Sequence, residues 1–139
     1  MNEIIVGVDE SGTARAAAFE AAGLAQQLGR PLHLVMAMKK SKSQSVQAGN
    51  ETIVLDPLAS AEQFLRSLKG ELPGGLQATE AVVAAEVAEA LCSEAERLNA
   101  SIIVVGNKRV QSAARVLGTI ALDVAKQAPC NVYIVHTTG

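Results

Sequence analysis

The chain has 139 residues, 49% of them hydrophobic, which is enough to bury the core of one domain over 1–139 and too apolar for a disordered chain. Lys and Arg number 12 against 14 Asp and Glu, for a net charge of -2, so no global field draws in nucleic acid. The only aromatics, Phe19, Phe64 and Tyr133, cannot build a base-stacking platform.

No apolar run approaches the ~20 residues that cross a bilayer, and Met1-Asn2-Glu3-Ile4 lacks the basic and apolar regions of a signal peptide. A cytoplasmic protein with neither membrane nor nucleic-acid partner is expected. Cys92 and Cys130 lie far apart with no second ligand residue near either, so both read as small core hydrophobes rather than a zinc site or a redox pair.

In chain order, Ile4 to Val8 is an almost wholly apolar run ending at Asp9, which suits a strand buried on both faces. Thr13 to Leu28 carries Ala17, Phe19, Ala21, Leu24, Ala25 and Leu28 near helical spacing, with Ser11 or Thr13 to cap it and Gly29 to end it. Pro31 to Met38 is a second strand. The stretch from Lys39 to Leu55, rich in Ser, Gln and Lys without strong periodicity, is expected to be a long mobile connection.

Asp56-Pro57 supplies a cap and a proline at the first helical position, opening a helix to about Leu68. Thr79 to Val83 is a weak third strand, and Glu86 to Leu98 repeats apolar residues at Val87, Ala90, Leu91 and Ala95, as an amphipathic helix does. Ile102 to Val105 is four β-branched residues closed by Gly106, the clearest strand signal. After Gly118 a helix to about Gln127 is stopped by Pro129, and Asn131 to His136 is the last strand.

This alternation predicts an α/β fold with an open five-stranded parallel sheet, order 3-2-1-4-5, and helices on both faces. In such a sheet ligands bind beyond the carboxyl ends of the strands where the order reverses. Here that nominates the loops after strands 1 and 4, Asp9-Glu10-Ser11-Gly12 and Gly106-Asn107-Lys108-Arg109. The second runs on to Gly118-Thr119 at a helix N-terminus, where backbone amides and a hydroxyl suit phosphate. Lys108, Arg109 and Arg115 add local positive charge.

Gly7 to Gly12 matches neither the dinucleotide fingerprint nor the Walker loop. His33 and His136, the only histidines, form no catalytic or metal cluster with other residues. His33 reads as a packed strand residue. No catalyst and no tightly bound metal is expected.

The run Ile102-Ile-Val-Val-Gly-Asn-Lys-Arg-Val-Gln-Ser-Ala-Ala-Arg-Val-Leu-Gly-Thr119, followed by Val124-Ala-Lys-Gln-Ala-Pro-Cys-Asn-Val-Tyr-Ile-Val135, resembles the C-terminal half of a bacterial universal stress protein of the single-domain type. Ile5-Val-Gly-Val-Asp-Glu-Ser11 resembles the family's first strand and acidic turn. The resemblance covers essentially the whole chain. It implies the adenine nucleotide alpha hydrolase-like form of the fold, a homodimer, and in the nucleotide-binding members ATP or AMP held by a G-x2-G-x9-G-[ST] pattern.

On that likeness Asp9 would meet the adenosine end, Val8 and Ser11 beside it would belong to the nucleotide site, and Val35 or Ala37 would line the base. Gly106, Asn107, Arg109, Gly118 and Thr119 would hold ribose and phosphates. Arg109 stands where the pattern has its second glycine, only eight residues separate it from Gly118, and Glu10 replaces a usual Gly. Ala85-Glu86-Val87-Ala88 occupies the place of a common Gly-Asp-Pro-Ala.

Arg109 either pairs with phosphate through its guanidinium or fills phosphate space. A regulatory dimer that binds an adenine nucleotide in stress response therefore stands beside a stress-response dimer that binds none. A nucleotide-hydrolysing or nucleotidyl-transferring enzyme finds no accompanying base or metal ligand in the sequence. An apolar edge strand over 131–136 with no inner charge or proline predicts pairing with a second copy.

Overall fold

The structure, a computed structural model, describes residues 2–9, 12–38, 44–49, 51–108 and 118–137. Strand β1 is Ile4–Gly7, and its Ile4, Ile5 and Val6 are all fully buried, as a strand covered on both faces requires. Helix α1 (Gly12–Leu28) follows, ended by Gly29 at φ +64. Strand β2 (Leu32–Ala37) lies parallel to β1.

Helix α2 (Pro57–Glu71) starts as expected: the Asp56 carboxylate accepts from the amides of Leu58 and Ala59 at 3.1 and 3.3 Å, satisfying two donors of the first turn. Strand β5 (Ala78–Val83), helix α3 (Val87–Leu98), strand β6 (Ile102–Lys108), helix α4 (Thr119–Gln127) and strand β7 (Asn131–Thr137) complete this frame. Asn99 closes α3 in the left-handed conformation, φ 50, a stop that Asn tolerates better than most residues.

The principal sheet is five-stranded and parallel, in the order β5-β2-β1-β6-β7. This is the expected order 3-2-1-4-5, with β5, β6 and β7 as its third, fourth and fifth strands. Alternation along each strand divides the core into two layers. Ile4, Val6, Leu32, Leu34 and Val104 pack under α1 and α2, with Leu65 and Leu68 of α2. Ile5, Val35 and Ile103 pack under α3 and α4, with Leu91 and Val124. In α1, Ala17, Ala18, Ala21, Ala22 and Ala25 are all 0% exposed, so the helix lies close on the sheet.

Two expectations are corrected. Lys39 to Leu55 is not merely a connection: β3 (Gln44–Ala48) and β4 (Glu51–Leu55) pair antiparallel, with Gly49 at φ +63 beside the turn. The backbone reversal requires positive φ there, which glycine supplies at no steric cost. The fourth parallel strand also runs past Gly106. Gly106, Asn107 and Lys108 pair with Val135, His136 and Thr137 of β7, so these residues are strand rather than loop.

Candidate functional site

The order reverses between β1 and β6, and just beyond the carboxyl ends there lies a cavity of about 120 Å³. Its walls come from β1 and its exit (Gly7, Val8, Asp9), from β2 (Val35, Ala37) and from β6 (Val105, Gly106). Helices close it, with Ala14 of α1, Val87 and Leu91 of α3, and Ile120 of α4. A hydrogen bond from the Val8 amide to the Val35 carbonyl, 2.9 Å, ties the β1 exit to β2.

Of the residues nominated from sequence, Val8, Asp9, Val35, Ala37 and Gly106 therefore meet in one place. Gly118 and Thr119 are exposed where α4 begins, next to Ile120. Asn107 does not line the cavity; it is 6% exposed, and its Oδ1 accepts the Gly118 amide at 2.7 Å. Ser11 and Arg109 lie outside the described residues.

Sequence reading missed Gly7, Ala14, Val87, Leu91, Val105 and Ile120 as lining residues. Val87 and Leu91 stand at i and i+4 on the apolar stripe of α3, a spacing that places them on one face. They read equally well as core. Gly7 is explained by its neighbour: a Cβ there would come within 2.9 Å of Leu91 Cδ1 and 3.1 Å of Cδ2.

The cavity is mainly apolar and a fraction of the ~300–1,000 Å³ that encloses a whole small ligand. It suits one flat ring, with any polar extension passing out over Gly106 towards α4. A larger and more open space of about 500 Å³ lies at the opposite ends of the strands, near Gln26, Arg30, Gly75 and Gln77. It is away from the reversal and carries no comparable apolar floor.

Behind the cavity is a buried polar cluster on the same face of the sheet. His33 of β2 places Nε2 3.0 Å from Glu94 Oε1 and Nδ1 2.6 Å from Thr79 Oγ1. An ionised carboxylate only accepts, so Nε2–H donates to Glu94 and, in neutral imidazole, Nδ1 accepts the Thr79 hydroxyl proton. Arg97 holds the same carboxylate through Nε and Nη2 at 2.7 and 2.9 Å. The hydrogen bonds from Arg97, and secondarily from His33, outweigh burial and lower the Glu94 carboxyl to about 2. His33 is thus a satisfied core histidine.

Cys92 and Cys130 are free, half-buried and packed on the α3/α4 layer, and burial pushes both thiols up. Among the described residues no group of three His, Cys, Asp or Glu is placed to hold a metal ion, and no helix is long and apolar enough to cross a membrane.

The profile of the Universal stress protein family matches residues 1–136. The chain belongs to that family. Solved structures share the fold. A universal stress protein in complex with cAMP is 24% identical, with a TM-score of 0.69 and coverage of 98% of this chain and 97% of that one. The universal stress protein of Archaeoglobus fulgidus in complex with dAMP is 21% identical, with a TM-score of 0.68 and coverage of 96% and 97%. A universal stress family protein of Arabidopsis thaliana with AMP bound is 17% identical, with a TM-score of 0.67 and coverage of 98% and 92%. An archaeon and a plant are thus represented, so the likeness is not confined to bacteria. Among curated proteins none is similar enough in sequence to count as a relative.

Proposed function

We propose that this universal stress protein is a cytoplasmic, dimeric regulator in stress response that binds an adenine nucleotide, ATP or AMP, and catalyses no reaction on it. The observation that carries the reading is the ring-sized apolar cavity at the strand-order reversal, opening towards the first turn of α4. Adenine would lie between Val35 and Ala37 on one side and Val87 and Leu91 on the other. Asp9 would face the ribose, and Gly106, Gly118 and Thr119 would approach the phosphates through backbone amides and a hydroxyl. The solved relatives with cAMP, dAMP and AMP support the ligand class.

Mass spectrometry of the small molecules released from protein purified without added ligand, with calorimetry against AMP and ATP, tests this directly. No released nucleotide and no heat of binding would leave the reading of a dimer that binds none. Gly118→Val is the matching variant. Gly118 has φ -65 and ψ 161, which valine adopts readily, so the fold should survive. The new Cβ would sit 3.1 Å from Asn107 Oδ1, with its methyls over the first turn of α4. Binding should weaken about 10- to 100-fold, the worth of one or two amide–phosphate bonds, with circular dichroism unchanged. Equal affinity in wild type and variant would refute the phosphate placement.

Assembly is read from the sheet edge. β7 pairs with β6 on one side, and its other edge presents backbone donors and acceptors that a second β7 could pair about a two-fold axis. Wild type should scatter light as a dimer at about 100 μM, well above a micromolar dissociation constant. Ile134→Pro, which deletes a donor and fixes φ, should shift it to monomer. A monomeric wild type at that concentration would end this part of the proposal.

A further inference from the structure

We infer that Asn107 is an internal competitor for the phosphate end of the ligand and so sets how strongly this chain distinguishes a nucleotide from its nucleoside. The inference rests on the adenine-nucleotide reading above. Gly106 and Ile120 both line the cavity; Asn107 and Gly118 are, respectively, one residue past the first and two before the second. The Asn107 side chain is nearly enclosed, at 6% exposure, and its Oδ1 takes the Gly118 amide hydrogen at 2.7 Å.

That oxygen occupies the place from which a phosphate oxygen would take the same proton. Gly118 is the N-cap residue of α4, where no side chain caps the first turn, and its own amide is satisfied internally by a carboxamide reaching across from β6. An anion arriving at this amide must displace a neutral acceptor already in contact, whereas a nucleoside seated in the cavity need not disturb it. Asn107 therefore lowers affinity for AMP without lowering affinity for adenosine.

The test compares AMP and adenosine binding by calorimetry in wild type, Asn107→Ala and Asn107→Asp, with amide hydrogen exchange of Gly118 followed by NMR in the free proteins. Asn107→Ala removes the competing oxygen: Gly118 exchange should accelerate, AMP should bind about three- to tenfold more tightly, and adenosine should stay within about twofold. Asn107→Asp keeps an acceptor on the Gly118 amide and adds a negative charge. Its Gly118 exchange should remain slow while AMP binding falls relative to adenosine.

If Asn107 merely supports the site, Asn107→Ala will weaken AMP and adenosine together, and the inference is overturned. Unchanged Gly118 exchange in Asn107→Ala overturns it as well. Should Asn107→Ala fail to fold, the Asp variant decides alone: equal changes for AMP and adenosine, or none, reject the competitor role. Wild type that binds adenosine and AMP equally well keeps the nucleotide reading while the Ala comparison judges Asn107. Failure of wild type and every folded variant to bind either ligand removes the parent reading and this one with it.

Discussion

Replacing Glu94 with Ala is expected to cost on the order of 2–5 kcal/mol and to make stability fall less steeply with acid between about pH 4.5 and 2. Glu94 is 7% exposed and is held by His33 and Arg97. Its carboxyl is lowered from 4.5 to about 2 in the folded state. A depressed carboxyl contributes stability that is fully present above the unfolded value and is lost as pH falls through the folded one. The full shift would correspond to about 3 kcal/mol, reduced by solvent screening because the Arg97 side chain is 59% exposed. Truncation also leaves the His33 Nε2–H buried without its acceptor, a further cost of about 1–3 kcal/mol if no water enters. Urea midpoints measured from pH 7 to pH 2.5 check this. A wild type whose midpoint is flat over that range, or an Ala variant that falls as steeply, would contradict it.

Gly7→Val should both destabilise the fold and close the cavity. The first added carbon would meet Leu91 Cδ1 at 2.9 Å, and Leu91 is 1% exposed. Its side chain must shift, and the space of about 120 Å³ that it lines lies beside it. Overpacking of this kind costs about 1–3 kcal/mol, and a displaced isobutyl group would occupy the room proposed for the ring. Thermal melts and AMP titration should therefore move together. Gly7→Ala, which adds the Cβ alone, should show a smaller shift in both. Full nucleotide affinity in a folded Gly7→Val protein would mean that the ring binds elsewhere.

The parallel frame could be read from the sequence because its signals were local and mutually consistent. Apolar runs such as Ile4 to Val8 and Ile102 to Val105 mark strands buried on both faces, and Asp56-Pro57 marks a helix start by capping chemistry that the structure displays in full. The hairpin escaped because Gln44–Ala48 is polar and weakly alternating, while its decisive signal was a single turn at Gly49.

Gly106 looked like a strand end because glycine usually interrupts. The ladder to β7 instead carries the strand two residues further. The lining residues on helices were illegible for a different reason. Whether Val87 and Leu91 face packed core or a gap depends on what stands opposite, and at Gly7 what stands opposite is the lack of a side chain. The Asn107–Gly118 bond joins residues eleven apart across a strand–helix boundary, beyond the reach of any periodicity.

The antiparallel hairpin has a practical consequence for anyone wishing to label this protein. Every ladder bond described for β3 and β4 is exchanged within the pair, and neither strand shares its backbone with the five-stranded sheet. Helix α2, which follows it, starts from its own Asp56 cap. A peptide epitope or a fluorophore-ligating tag spliced in beside Gly49 would thus extend a turn whose hydrogen bonds the main sheet does not use, and exposed turns are where chains accept insertions best. A reporter there would leave the backbone ladder of the five-stranded sheet as it is.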